Sequence, residues 1–127
     1  MRRFNTAEAL RLGVSAAKVG QMTGDIGAAI EEYVLSAGFG VVRDLSGHGV
    51  GFAVHEDPEV PNYGVAGEGE ELRPGLVIAI EPMVTAGTEE TRLLADGFTF
   101  VTADGKLSAH FEHTVAITVD GPVVLTV

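Results

Sequence analysis

Apolar residues recur at helical spacing only in the first third of the chain. Leu10, Val14 and Ala17 fall on one face of a first helix, with Asn5 as its N-cap and Glu8 completing a capping box. Gly20 marks its end. A second helix is predicted from Thr23, taken as its cap, with Asp25 in the first turn, where the helix dipole favours negative charge. Ile26, Ile30, Tyr33, Val34 and Ala37 form its apolar stripe, Glu31 and Glu32 its wet face, and Gly38 its C-terminal cap. After that the period changes. Residues 39–45 alternate weakly and read as a strand. Residues 58–71 are rich in Gly, Pro and Glu without period and read as a surface loop. Residues 76–80 are continuously apolar, as in a strand buried on both faces, with Glu81 at its end and Pro82 stopping the ladder. Residues 98–102 read as a strand and Ala103-Asp104-Gly105-Lys106 as a hairpin-type turn. Residues 107–118 read as one long strand, and Asp120-Gly121 turns it into a last strand over 123–127. Two helices followed by strands define an α+β fold. No repeat or boundary divides residues 1–127, so a single domain is expected.

Composition narrows the class. A chain of 127 residues with 46% hydrophobic residues can bury a modest core and is not a disordered sequence. Its 8 basic and 18 acidic residues leave a formal charge of −10, which argues against nucleic acid and anionic membranes as partners. An acidic site suits cations or a positively charged substrate end. There is no cysteine, hence neither a disulfide nor a thiolate metal site. No apolar run reaches the length of a membrane span, and the expectation is a cytoplasmic protein.

Three segments carry candidate chemistry. Ser46 to Pro58 sets His48 and His55 seven residues apart in a glycine-rich stretch, where the absence of side chains beside His48 would let the backbone approach a ligand. Ile80-Glu81-Pro82-Met83 and Phe111-Glu112-His113-Thr114 each place a carboxylate in an apolar, β-prone run, where a lone charge is costly. One histidine and two such carboxylates suit a divalent cation, and a metal that acidifies water and polarises a carbonyl suits amide hydrolysis. The same residues also allow a plainer account: a hydrogen-bonding loop histidine, a strand-end carboxylate facing water, and alternate faces of an edge strand. In a strand, His113 points away from Glu112, whereas His110 shares its face. His110 is then either a group behind the metal ligands or an exposed strand residue. Asp96-Gly97 and Asp57-Pro58 read as turns.

Taken in order, Gly47-His48-Gly49-Val50-Gly51, His55-Glu56-Asp57-Pro58, Leu72-Arg73-Pro74-Gly75, Ile80-Glu81-Pro82-Met83 and Ser108-Ala109-His110-Phe111-Glu112-His113-Thr114 resemble the type I methionine aminopeptidases. The similarity runs through nearly the whole chain. It implies the pita-bread fold, in which two similar halves of helices surround a curved antiparallel sheet. It also implies a metallopeptidase acting on the N-terminal methionine of peptides or nascent proteins, with divalent ions (cobalt, manganese, iron or zinc). By the resemblance, His48, Glu81 and Glu112 are metal ligands, Glu112 bridging two ions. His55 contacts the scissile peptide as the catalytic histidine, and Val54 and Phe98 lie near the methionine pocket, where the family usually has larger aromatic groups.

The family's other two ligands are aspartates on strands that precede the first helix matched here, and no Asp precedes Asp25. The resemblance is therefore to the C-terminal half of the catalytic domain. It implies one ion site largely retained, with three of four ligands, and a second mostly lost, with Glu112 alone. The isolated chain is expected to be incomplete or inactive, and either a homodimer or an N-terminal half would cover the exposed sheet face. Two other readings are a non-catalytic binding module derived from the fold and an Xaa-Pro aminopeptidase-like member. The spacing of the histidines and the Glu81-Pro82-Met83 triplet look more like the methionine class.

Overall fold

The computed structural model describes residues 6–127. Two helices, α1 (Thr6–Ala16) and α2 (Thr23–Ser36), are followed by ten short strands: β1 (Gly40–Val41), β2 (Gly47–Gly49), β3 (Glu56–Val60), β4 (Val77–Ile80), β5 (Met83–Thr85), β6 (Thr91–Leu93), β7 (Phe100–Thr102), β8 (Ser108–His110), β9 (His113–Thr118) and β10 (Gly121–Val124). The strands form a five-stranded sheet in the order β10-β9-β4-β2-β3, a three-stranded sheet β1-β5-β8 and the pair β6-β7, all antiparallel. This is the expected α+β arrangement of two helices on curved antiparallel sheet.

The core lies between the helices and the sheets. Leu10 of α1 and Ile26, Ile30 and Val34 of α2 meet Val41, Val60, Ile78, Ile80, Val115 and Ile117 from the strands. The helical stripe read from spacing is thus the buried one. Gly13 lets the helices close: a Cβ there would stand 2.8 Å from Ile30 Cδ1 and 3.3 Å from Ile80 Cγ2. At the end of α2, Gly38 has φ +83, and the Phe39 amide donates to the Val34 carbonyl, a Schellman-type cap. The start of α2 differs from expectation. Met22 occupies the cap position, and the Asp25 carboxylate accepts the Met22 amide at 2.7 Å. The Thr23 hydroxyl accepts the Glu70 amide instead, fastening the long loop along the start of the helix. The expected Asn5 cap lies outside the described residues.

Several strand expectations are corrected. The strand expected over 39–45 is reduced to β1, because the chain bends at Arg43, whose guanidinium meets Glu31 at 2.6 Å and Glu89 at 3.2 Å and lies over the Tyr63 ring. The loop expected from Pro58 begins later: Glu56–Val60 is the edge strand β3, a place where proline's lack of an amide hydrogen is tolerated. Asp57-Pro58 is therefore in a strand. The turn at residues 103–106 joins β7 to β8, which pair with different partners, so it links two sheets and closes no hairpin. The long strand expected over 107–118 is broken at Phe111-Glu112 into β8 and β9, and the run from Val77 to Thr85 is broken at Glu81-Pro82 into β4 and β5. Those two runs form one long antiparallel pair, from Val77↔Ala116 to Thr85↔Ser108. Its upper half belongs to one sheet and its lower half to the other, and the two breaks stand opposite each other.

Ile30 is fully buried and touches Gly13 at the helix crossing. Ile30→Ala should cost about 2–5 kcal/mol by cavity formation. Urea unfolding followed by circular dichroism measures this, and an unchanged midpoint would contradict the packing described.

Candidate metal centre

The opposed breaks are where the carboxylates sit. Between the pairs Ile80↔His113 and Met83↔His110, Glu81-Pro82 faces Phe111-Glu112 without ladder pairing. Pro82 has no amide hydrogen to give. One long contact, from the Phe111 amide to the Pro82 carbonyl at 3.4 Å, crosses the gap. The freed Glu81 carbonyl accepts from Nδ2 of Asn62 at 3.1 Å, and Asn62 is fully buried. Nothing in the sequence pattern marks Asn62, which lies in the stretch read as a surface loop.

His48 arrives from β2, next to β4, in register with Ala79. The glycines beside it have a different purpose from the one expected. A Cβ at Gly47 would collide with the Ala79 carbonyl oxygen, and one at Gly49 with the Asp57 carbonyl oxygen. The missing side chains let β3 and β4 press against β2; they are filled by neighbouring backbone rather than left open for a ligand. A bulge between His48 and Gly49 accommodates the β3 strand.

The donor atoms of His48, Glu81 and Glu112 all lie within 4.8 Å of one another. His48 Nδ1 is 2.9 Å from the Gly49 carbonyl oxygen. A carbonyl can only accept, so Nδ1 carries a hydrogen, and in the neutral ring Nε2 is then the nitrogen with a lone pair to offer. That Nε2 stands 3.2 Å from Glu81 Oε1, with the two side chains only 13% and 14% exposed. At that distance a shared proton or a cation can join the two atoms. Burial lifts the Glu81 pKa above the ordinary carboxylate range, and the negative charge of Glu112 lifts it further, against the opposing pull of His48, His110 and His55. One imidazole nitrogen and two carboxylates, with the imidazole's other nitrogen tied to a backbone carbonyl, fit a divalent cation.

The remaining expected residues are placed as follows. The His55 ring stacks on that of His48, with centroids 3.7 Å apart and planes inclined at 29°. The loop between them is closed by Glu56, whose carboxylate accepts the Ala53 amide at 3.1 Å. Glu56 was given no role from sequence, yet this short closure folds His55 back over His48. It leaves Phe52 and Val54 exposed. Phe98 is also exposed, at the tip between β6 and β7, where Asp96 accepts the Phe98 and Thr99 amides at 2.9 Å. Among the described residues no polar contact joins Val54 or Phe98 to the three-ligand group. His113 points away, with Nδ1 2.9 Å from the Thr126 hydroxyl. His110 points inward, with Nε2 3.3 Å from Glu81 Oε2. The opposed directions of His110 and His113 agree with strand alternation.

Known proteins resemble the chain in sequence and in fold. The chain is 55% identical over 121 residues to methionine aminopeptidase A of Synechocystis, covering 95% of the chain and 48% of that protein. The solved methionine aminopeptidase of Thermotoga maritima superposes with a TM-score of 0.93 at 49% identity, over 95% of the chain and 49% of that structure. The prolidase of Pyrococcus horikoshii superposes with a TM-score of 0.70 at 28% identity, over 96% of the chain and 29% of that structure. The chain thus spans about half the length of the curated relatives it matches. The model of metallopeptidase family M24 matches residues 5–119, which include every segment that builds the metal centre, and the chain belongs to that family.

Proposed function

We propose that this chain supplies the His48, Glu81 and Glu112 side of a methionine aminopeptidase-type metal centre, as the C-terminal half of such a catalytic domain over residues 1–127. The observation that carries the reading is the convergence of the His48, Glu81 and Glu112 ligand atoms within 4.8 Å of one another. The closer likeness to methionine aminopeptidases than to prolidase, in identity and in superposition, supports a peptide with N-terminal methionine as substrate.

A bound divalent ion (cobalt, manganese, iron or zinc) supplies an acidified water and polarises the peptide carbonyl. The protein's residues do the rest. His48, fixed by its Nδ1 bond to the Gly49 carbonyl, offers Nε2 as ligand, and Glu81 and Glu112 offer oxygens. His55, packed on His48, contacts the scissile peptide and steadies the charge that develops on it. Val54 and Phe98 offer apolar surface to the methionine side chain. One ion has three ligands here. A second ion would have only Glu112 from this chain, and further acidic ligands would have to come from elsewhere in the working protein. We place that protein in the cytoplasm; among the described residues no helix is long and apolar enough to cross a membrane.

Phe52, Val54, Phe98, Leu107 and Phe111 are all exposed. That much uncovered apolar surface supports a face covered in the working protein by a second copy of the chain or by an N-terminal half.

Calorimetric titration of the metal-free chain with Mn²⁺ should give one ion per chain. His48→Ala should abolish binding and Glu112→Gln nearly abolish it. His55→Ala should retain the ion while removing any hydrolysis of a Met-Ala-Ser peptide, and loss of the ion in that variant would contradict its role. Turnover of Xaa-Pro peptides in preference to Met-Ala peptides would favour the prolidase-like reading. Sedimentation at low micromolar concentration should show self-association of the chain alone, and a monomer would overturn the second-copy option.

The pH dependence follows from Glu81. Its pKa is raised in the fold, so the metal-free fold holds a proton more tightly than the unfolded chain does. The resulting penalty is absent below the ordinary carboxylate range and grows as pH rises from there through the raised value. Glu81→Gln should therefore raise the metal-free thermal midpoint at neutral pH while weakening Mn²⁺ binding. The gain should shrink toward about pH 4, near the unfolded value. A midpoint lowered at neutral pH would refute this account.

A further inference from the structure

The Glu81 carboxylate is gripped from both sides. Oε1 faces His48 Nε2 at 3.2 Å, and Oε2 faces His110 Nε2 at 3.3 Å. The two imidazoles differ in what else they can do. His48 belongs to the group of donors that converge within 4.8 Å, whereas His110 is outside that group and, among the described residues, meets the carboxylate of Glu81. His110 is also fixed by its backbone. It ends β8 in register with Met83, two residues past Glu81 on the opposite run, so it spans the break and meets the carboxylate from the far side. At the other end of the residue, Asn62 fixes the Glu81 backbone carbonyl. Since the ladder is interrupted at Glu81-Pro82, these side-chain contacts replace the strand pairing that would otherwise orient the residue.

We infer that His110 is a positioning residue for Glu81: it occupies Oε2 and so presents the other oxygen, Oε1, to an ion shared with His48 and Glu112. The inference rests on the metal reading above. Once His48 Nε2 is committed to the ion, His110 is the group that still holds the carboxylate from outside. Carboxylate ligands held in this way bind more tightly because the holding group fixes their direction and limits their motion. Most of His110 is outside the core, with its side chain 46% exposed, so its replacement leaves the fold's packing largely untouched.

The test is Mn²⁺ titration by calorimetry on the chain and four variants, with folding checked by circular dichroism. His110→Ala should weaken Mn²⁺ affinity about 10–100-fold. His110→Gln, which keeps an N–H donor of similar reach, should restore affinity close to that of the parent. In a Glu81→Ala background, adding His110→Ala should have no further effect, because His110 acts only through Glu81. In the metal-free chain, the nitrogen resonances of the His110 ring should shift on Glu81→Gln, a readout independent of metal and of activity. Parent-like affinity in His110→Ala, or an unmoved His110 ring, would overturn the inference. An additive loss in the double variant would make His110 a direct ligand and overturn it as well. Failure of the parent chain to bind Mn²⁺ would be a different result: it would overturn the metal reading itself, and it would show before any variant is made.

Discussion

The structure depends on bringing two carboxylates together inside a paired stretch of sheet. Glu81 and Glu112 repel each other, and burial makes the charge on Glu81 costlier still. Ordinary antiparallel pairing would not tolerate this arrangement, and the ladder is indeed interrupted where it occurs. Proline at 82 removes the donor on one run, Phe111-Glu112 leaves the ladder on the other, and the strand pair passes from the five-stranded sheet to the three-stranded one. The break that accommodates the charges is thus also the boundary between the two sheets.

Everything around that break holds it in place. Asn62 takes the orphaned Glu81 carbonyl, and its own Oδ1 is buried without a partner, a cost accepted where backbone pairing is lost. Gly47 and Gly49 allow the neighbouring strands to close on His48. The Gly49 carbonyl selects the His48 tautomer, and Glu56 closes the short loop that sets His55 on the His48 ring. The supports of the cluster are mostly backbone: carbonyls, strand register and absent side chains.

The helices are well covered inside, with Ile26, Ile30 and Val34 fully buried. Phe52, Val54, Phe98 and Leu107 are by contrast highly exposed, on loops and tips rather than on regular elements. The methionine aminopeptidases that the chain matches are about twice its length.

By itself the sequence determined the helices, because a 3.6-residue apolar stripe and a terminal glycine are local signals. It also marked the residues of the candidate metal centre, because a carboxylate in an apolar run and a histidine among glycines are anomalies visible without coordinates. Strand alternation alone separated His110 from His113. The limits of the strands were decided by the tertiary structure: β3 was hidden by its proline and acidic residues, and the two long runs were cut by partners that only folding supplies. Tertiary structure also decided what the glycines beside His48 do and why Asn62 and Glu56 matter. Those roles are contacts between residues 3 to 32 positions apart, and no local pattern encodes which backbone atom will stand against a side chain. Donor types are written residue by residue, whereas the distance between donors exists only once the sheet has closed.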